Sequence, residues 1–131
     1  MDDSFNKTVL IVDDDDMMLQ MAEYILKKDT EYKILRANSG MQCLRLLQDG
    51  EDVDLILLDI QMPGMDGIKT MELLQKHDYW RKIPVIFLTA SSDRDTVIKA
   101  GKLGPAGYVK KPFSPQDLLQ RVIITLEIGK E

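Results

Sequence analysis

Short apolar runs alternate five times with segments of helical periodicity along this chain. Runs such as LILL (55–58) and VIFL (85–88) contain no polar residues, and strands of that kind are usually covered on both faces. The pattern predicts strands at 8–12, 33–37, 55–58, 83–88 and 106–109. It predicts helices at 17–28, after the capping pair 38–39, at 67–76, at 93–102 and from the capping residue 114.

Regular alternation of strands and helices predicts an α/β fold, in which a doubly wound parallel sheet of five strands carries five helices on its two faces. Right-handed crossovers bring the carboxyl ends of all the strands to one edge, where ligands bind in sheets of this class. Since no repeat, low-complexity segment or linker interrupts the pattern, we expect residues 1–131 to form a single domain.

The composition narrows the class of protein. A hydrophobic fraction of 44% and a charged fraction of 30% are typical of a soluble globular chain. The net charge of −5 argues against nucleic acid or an anionic membrane as a direct partner. The only cysteine, Cys43, lies in an apolar pattern with Met41, so we expect a small buried hydrophobe. No apolar run is long enough to span a membrane or resembles a signal peptide, which predicts a cytoplasmic location.

Reactive or charged groups follow four of the five predicted strands. The groups are the aspartates 13–16 after the first strand, Asp59 after the third, Thr89-Ala90-Ser91 after the fourth and Lys110-Lys111-Pro112 after the fifth. Clustered carboxylates require a compensating cation, and all-oxygen ligands favour Mg²⁺. A lysine and a hydroxyl can bind phosphate, and an aspartate can serve as the nucleophile toward phosphorus. This edge of the sheet is therefore predicted to be a magnesium-dependent phosphoryl site.

The blocks VLIVDDD, LLDIQMPGMDG, FLTAS and YVKKPF, in this order and spacing, resemble the signature blocks of the receiver family of bacterial response regulators. The resemblance covers about residues 7–126, which is the expected core of the domain. It implies a flavodoxin-like sheet with the strand order 2-1-3-4-5.

The resemblance also implies a role for individual residues. Asp59 is expected to accept the phosphoryl group, and Asp14, Asp59 and the main-chain carbonyl of Gln61 to bind Mg²⁺, with Asp13 acting through a metal-bound water. Thr89 and the backbone N–H of Ala90 are expected to contact the phosphoryl oxygens.

On the other side of the site, the resemblance implies that Lys111 bridges to the phosphate and that its bond to Pro112 is cis. Tyr108 matches an aromatic switch residue that turns inward as Thr89 moves, although simple packing is an equally good interpretation of this ring. Gln61 and Ser91 occupy the positions that tune the lifetime of the phosphate in the family.

The function implied is a phosphorylation-dependent signalling switch in a two-component phosphorelay, not a metabolic enzyme. The expected partners are a sensor histidine kinase or histidine phosphotransfer protein, and an effector on the face built from the fourth helix, last strand and last helix. One rival is a magnesium-dependent aspartyl-phosphate phosphatase, which Gln61 disfavours because such enzymes usually have a second acid at this position. The other rival interpretation is a phosphate-independent binding module.

Several conspicuous residues receive a structural interpretation. Asp15 and Asp16 are expected to start the first helix, with the register of the acidic run open by one residue, and Asp66 to cap the third helix. The methionines are interpreted as core residues, and His77 and Trp80 as surface residues in a polar connection.

Overall fold

The computed structural model of the chain describes residues 7–90 and 93–128. Its strands are β1 (Thr8–Val12), β2 (Lys33–Ala37), β3 (Leu55–Asp59), β4 (Val85–Thr89) and β5 (Gly107–Lys110). Its helices are α1 (Asp16–Asp29), α2 (Gly40–Gln48), α3 (Gly67–Gln75), α4 (Arg94–Gly101) and α5 (Pro115–Ile128), with a short 3₁₀ helix at Trp80–Lys82. Within the described ranges, none of the helices has the length and apolar character needed to cross a membrane.

The strands form one parallel sheet in the order β2-β1-β3-β4-β5, which confirms the predicted flavodoxin-like fold. The register places Asp59 of β3 opposite Leu88 of β4, and Thr89 opposite Lys110 of β5. Because the strands are parallel, the residues that follow β1, β3, β4 and β5 all emerge at the same edge.

The sheet separates two hydrophobic clusters because successive side chains of a strand point to opposite faces. In β1, Val9 and Ile11 pack with α1 and α5 on one face, whereas Leu10 and Val12 pack with α2, α3 and α4 on the other. Strands β1, β3 and β4 are buried along their whole length. Cys43 is fully buried in the second cluster, as predicted.

The predicted helix caps are confirmed. The side chain of Asp15 accepts a hydrogen bond from the Met17 N–H at 3.0 Å, and Ser39 accepts one from the Gln42 N–H at 3.1 Å. Asp66 Oδ1 accepts one from the Lys69 N–H at 2.8 Å, at the start of α3. Each bond satisfies a backbone donor that the first turn of a helix leaves unpaired, and this defines where α1, α2 and α3 begin.

Five strand boundaries differ from the prediction, since β3, β4 and β5 each end one residue later and β4 and β5 also begin later. β4 begins at Val85 instead of residue 83 because Pro84 has no N–H to donate to the sheet, although its carbonyl accepts from Ile56 N–H at 3.0 Å. β5 begins one residue later than predicted, at Gly107, although the Ala106 N–H still donates to the Val85 carbonyl at 2.7 Å, at the rim of the sheet.

The interpretation of the methionines as core residues is wrong for Met17, Met21 and Met41, which are 71%, 41% and 60% exposed. Met62 and Met71 do lie in the core. These three residues lie outside the buried stripes of α1 and α2, so their apolar side chains face away from the core.

The assignment of His77 and Trp80 to the surface is also corrected, since both side chains are half-buried. Their rings stack with centroids 3.8 Å apart, and His77 Nδ1 accepts from the N–H groups of Tyr79 and Trp80 at 3.2 and 3.3 Å. This pairing organises the 3₁₀ helix in the connection from α3 to β4.

Candidate functional site

Three carboxylates meet at the carboxyl edge of the sheet. Asp13 and Asp14 directly follow β1, and Asp59 is the last residue of β3. One oxygen from each lies within 4.8 Å of the others. Asp13 is fully buried and Asp59 is 4% exposed, whereas Asp14 is open to solvent. The cluster thus consists of two buried carboxylates and a third that is exposed to solvent.

Main-chain hydrogen bonds hold these residues in place beyond the ends of the strands. The Asp13 N–H donates to the Ala37 carbonyl at 3.1 Å, and the Lys111 N–H donates to the Thr89 carbonyl at 2.9 Å. The Ile60 N–H, next to Asp59, donates to the Leu88 carbonyl at 3.1 Å. Because the sheet pairing continues through the site, the carboxylates cannot easily move apart to relieve their repulsion.

Lys111 supplies the positive charge that faces the buried acids. Its Nζ lies 2.6 Å from Asp13 Oδ2 and 3.3 Å from Asp59 Oδ1. The contact to Asp13 Oδ2 is an ion pair rather than a well-directed hydrogen bond, since this oxygen has no hydrogen bond of good geometry among the described residues. The other oxygen, Asp13 Oδ1, accepts from the Asp15 N–H at 2.9 Å, which orients the carboxylate.

The proton affinities reflect this arrangement. Burial, and then the neighbouring charge of Asp13, raise the pKa of Asp59 from 3.8 to about 6, although Lys111 acts in the opposite direction. Burial lowers the pKa of Lys111, but the carboxylates of Asp13 and Asp59 outweigh burial and raise the pKa above its ordinary value. Lys111 is therefore charged at neutral pH, and its one charge does not fully offset the acids.

The donor set fits a hard divalent cation. All three groups present oxygen atoms, and Lys111 contacts only the carboxylates of Asp13 and Asp59 among them. The pKa of Asp59 is raised by burial and by the charge of Asp13, and a bound cation would favour its ionised form. Mg²⁺ prefers oxygen ligands and usually binds through one or two carboxylates while keeping several waters. Exposed Asp14 leaves such an ion accessible from solvent.

The other predicted site residues lie at the carboxyl edge of the sheet. Thr89 is buried at the end of β4, and Ala90 and Gln61 are exposed at the same edge. The bond between Lys111 and Pro112 is cis, as predicted. Ser91 lies outside the described residues.

Tyr108 lies farther from the carboxylates, in β5. Its half-buried ring packs beside Phe87 of β4 with centroids 6.2 Å apart, and its hydroxyl lies next to Gly101 of α4. The ring therefore connects β4, whose last residue is Thr89, with α4. Both interpretations of Tyr108, packing and switching, agree with this position.

Gly67 has a role at the site that the sequence analysis missed. A Cβ at this position would collide with the carbonyl oxygen of Asp59 and would lie 2.9 Å from the Cα of Ile60. The Gly67 N–H also donates to the Ile60 carbonyl at 2.8 Å. The start of α3 thus presses against the backbone that carries Asp59. The pairing of Asp66 with Gly67 in MPGMDG was the available signal, because glycine allows close backbone approach.

The chain is similar to known proteins over most of its length. Residues 9–123 match the family model described as the response regulator receiver domain. Over 117 residues the chain is 31% identical to the chemotaxis protein CheY-3 of Vibrio cholerae, covering 89% of each chain. It is 36% identical over 116 residues to the phosphate regulon transcriptional regulatory protein PhoB of Pseudomonas aeruginosa, covering 88% of this chain and 50% of that protein.

A solved structure, the receiver domain of the Francisella response regulator 1452, superimposes with a TM-score of 0.83 at 31% identity, over 95% of this chain and 99% of that one. The chain spans about half the length of the two first transcriptional-regulator relatives, 48% and 50%. These relatives are regulatory proteins, and the match covers the whole sheet and its acidic edge. The chain belongs to the response regulator receiver domain family.

Proposed function

We propose that this chain is a phosphorylation-dependent switch of a two-component phosphorelay, and that Asp59 accepts the phosphoryl group. The observation that carries the proposal is the position of Asp59, a buried carboxylate with acidic neighbours within 4.8 Å and the Lys111 ammonium at 3.3 Å. The family match over residues 9–123 supports treating the chain as one receiver domain with a core of about residues 7–126.

In the proposed transfer, an Asp59 carboxylate oxygen attacks the phosphorus of a phosphohistidine on a partner protein. The O–P bond forms as the P–N bond breaks, and the imidazole leaves with the electron pair and takes up a proton. The Lys111 ammonium exchanges its ion pair with the carboxylate for one with the phosphoryl oxygens, where negative charge accumulates. The Thr89 hydroxyl and the Ala90 N–H donate to these oxygens, and the product is an aspartyl phosphate.

Asp14, Asp59 and the Gln61 carbonyl would hold a Mg²⁺ ion, with Asp13 acting through a water. When bound, the ion offsets the acids and stabilises charge on the transferred phosphoryl group. The same residues would support slow self-catalysed phosphorylation from small donors and slow dephosphorylation, with Gln61 and Ser91 setting the lifetime. Beyond this self-catalysis we assign no turnover of an external substrate. Position 61 is a glutamine, and a glutamine cannot serve as the general acid that such turnover would need.

The proposed partners are a sensor histidine kinase or histidine phosphotransfer protein upstream and an effector downstream, in the cytoplasm, without direct nucleic-acid or membrane binding. Exposed apolar side chains on α1 lie beside the site at helical spacing, at Met17, Met21 and Tyr24, and would suit docking of the upstream protein. Apolar side chains of α4 and α5, including Ile98 and Ile124, are 55% and 47% exposed and would suit the effector.

Phosphorylation would act on the α4–β5–α5 face by shifting a pre-existing equilibrium. The support is the position of Tyr108, which packs between Phe87 of β4 and Gly101 of α4. A movement of Thr89 toward the phosphoryl group would alter the end of β4 and the space beside this ring. Inward rotation of Tyr108 would then change the surface that α4 and β5 present.

The experiment that tests the phosphoacceptor is intact-mass analysis after incubation with acetyl phosphate, with Mg²⁺ or with EDTA. We expect one added phosphoryl group that requires Mg²⁺, is absent in Asp59→Asn, and persists in Asp52→Asn, which changes an exposed acid outside the site. An adduct that persists in Asp59→Asn would contradict the proposal. If no adduct forms, released phosphate is counted: release that requires Asp59 indicates a short-lived phosphate, and no release indicates a phosphate-independent binding module.

A further inference from the structure

A trough between α3 and α4 is a concave surface whose lining shares Gln61 with the proposed phosphoryl site. It measures about 940 Å³ and opens to solvent instead of forming an enclosed cavity. Its apolar floor includes Ile60, Met62, Ile68 and Leu103. The floor begins directly after Asp59, and at the far end the Gln75 amide donates to the Leu103 carbonyl at 2.5 Å, which ties α3 to the segment after α4.

The walls of the trough are more basic than the chain as a whole. Lys69 on α3, and Lys99 and Lys102 at the end of α4, line it, although the chain has a net charge of −5. None of the three forms an ion pair with the rest of the described chain, as is true of most of the described lysines, so their charges are available to a ligand. Unpaired lysines around an apolar floor favour a ligand that combines negative charge with apolar groups.

The two acids in the lining weaken this charge only partly. Asp66 directs Oδ1 toward the Lys69 N–H at 2.8 Å and so serves as the cap of α3. Glu72, one turn along α3, is exposed and forms no ion pair with Lys69 within the described residues. Both acids keep their charge, so three ammonium groups against two carboxylates leave the lining with a small net positive charge.

We propose that this trough is a docking site for an acidic peptide segment of a partner protein, with apolar side chains on the floor and carboxylates beside the lysines. A long, open shape suits an extended or helical segment, and apolar anchors in a groove are a common mode of peptide recognition. A nucleotide fits less well, because the described lining residues include no aromatic ring on which a base could stack. Since Ile60 and Gln61 belong to the lining, an occupant would also lie beside the phosphoryl site.

The test is a titration of ¹⁵N-labelled, unphosphorylated protein with a short synthetic peptide of alternating glutamate and leucine, followed by amide chemical shifts. It does not depend on whether Asp59 accepts phosphate. We expect shifts confined to the trough, including Lys69, Lys99 and Leu103, and no such shifts with a matched peptide of lysine and leucine. Binding is expected to weaken several-fold when salt rises from about 50 to about 300 mM, because exposed charges are screened.

A charge-reversed double variant, Lys69→Glu with Lys99→Glu, is expected to bind roughly tenfold more weakly, a few-fold for each reversed contact. The matched control reverses Lys28 and Lys82, of which Lys28 lies in the last turn of α1 as Lys99 does in the last turn of α4. Thermal unfolding checks that both variants fold.

Three results would overturn the proposal: no trough shifts at the highest soluble peptide concentration, equal weakening in the control variant, or trough shifts produced by ATP at lower concentration than by the peptide.

Discussion

Replacing Asp59 with asparagine is expected to stabilise the metal-free protein, although it removes the proposed phosphoacceptor. Asp59 is 4% exposed and lies in a cluster with Asp13 and Asp14. Its pKa of about 6, against the ordinary 3.8, corresponds to about 3 kcal/mol of unfavourable interaction when the group is ionised. Asparagine resembles the protonated acid in size and charge, so about 3 kcal/mol is the upper limit of the increase in the free energy of unfolding.

The sign of the pH dependence follows from the direction of this pKa. Between pH 3.8 and about 6 the folded protein holds a proton on Asp59 that the unfolded chain has lost, so stability falls as the pH rises through this window. The free-energy cost of ionising Asp59 in the folded protein is fully present above about pH 6. It is absent at a pH low enough for Asp59 to be protonated in both the folded and the unfolded protein. The variant should therefore gain about 1–3 kcal/mol at about pH 8 and almost nothing at about pH 4.

Urea unfolding in EDTA, followed by the fluorescence of Trp80, the only tryptophan, measures this gain directly. Asp52→Asn serves as the control and should change stability little at either pH, because that acid is exposed. Added Mg²⁺ should narrow the difference, since it binds the parent site more strongly than the variant site. A gain that is the same at both pH values, or no gain at all, would refute the electrostatic reasoning.

Three further perturbations test neighbouring features of the fold. Lys111→Met removes the ammonium 2.6 Å from Asp13 and should cost about 2–4 kcal/mol in EDTA, with part of the loss restored by Mg²⁺ in the same urea assay. Gly67→Ala places a methyl group against the Asp59 carbonyl and should cost about 1–3 kcal/mol while slowing acetyl-phosphate labelling. Burial raises the pKa of Cys43 to about 12, so Ellman's reagent should label the native protein very slowly at about pH 8 and the urea-unfolded protein rapidly.

Each of these expectations has a control or an opposing result. Lys110→Met, at an exposed neighbour of Lys111, should leave stability nearly unchanged, and an equal loss in both variants would contradict the role of Lys111. Gly107→Ala is the control for Gly67→Ala, because a Cβ there meets only Arg121 Nη1 at 3.7 Å. Rapid native labelling of Cys43 would show that α2 opens far more readily than its burial indicates.

The fold was predictable because β1, β3 and β4 consist mainly of apolar residues and the connections carry acids, glycine or proline. The sequence predicted β1 and β2 to the residue, and each is followed directly by a polar residue, Asp13 or Asn38. It misplaced the start of β4, where the apolar pattern includes Ile83 but the hydrogen-bond pattern excludes Pro84. At this position the side-chain pattern reflects burial, whereas the strand boundary depends on which backbone groups can donate hydrogen bonds. A hydrophobicity pattern reports only the burial.

What the sequence could not predict depends on contacts between distant segments. The collision that requires glycine at position 67 exists only because α3 packs on the Asp59 backbone. His77 stacks on Trp80 and organises the 3₁₀ helix, but no hydrophobic periodicity in the sequence indicates this contact. The sequence placed Lys111 at the same edge as the acids, but it did not predict the closer approach to Asp13 than to Asp59, because β3 lies nearer to β5 in the sheet than β1 does.

The acidic site remains under electrostatic strain because the rest of the fold does not let it relax. Leu58 and Val12 anchor β3 and β1 in the hydrophobic core, and backbone pairing continues past both strand ends to Asp13 and Ile60. Separating the carboxylates would break these hydrogen bonds and expose apolar surface, which opposes their repulsion. The acids therefore stay close together, and a cation bound at the site would relieve both the cost of burying the charge of Asp59 and its repulsion from Asp13.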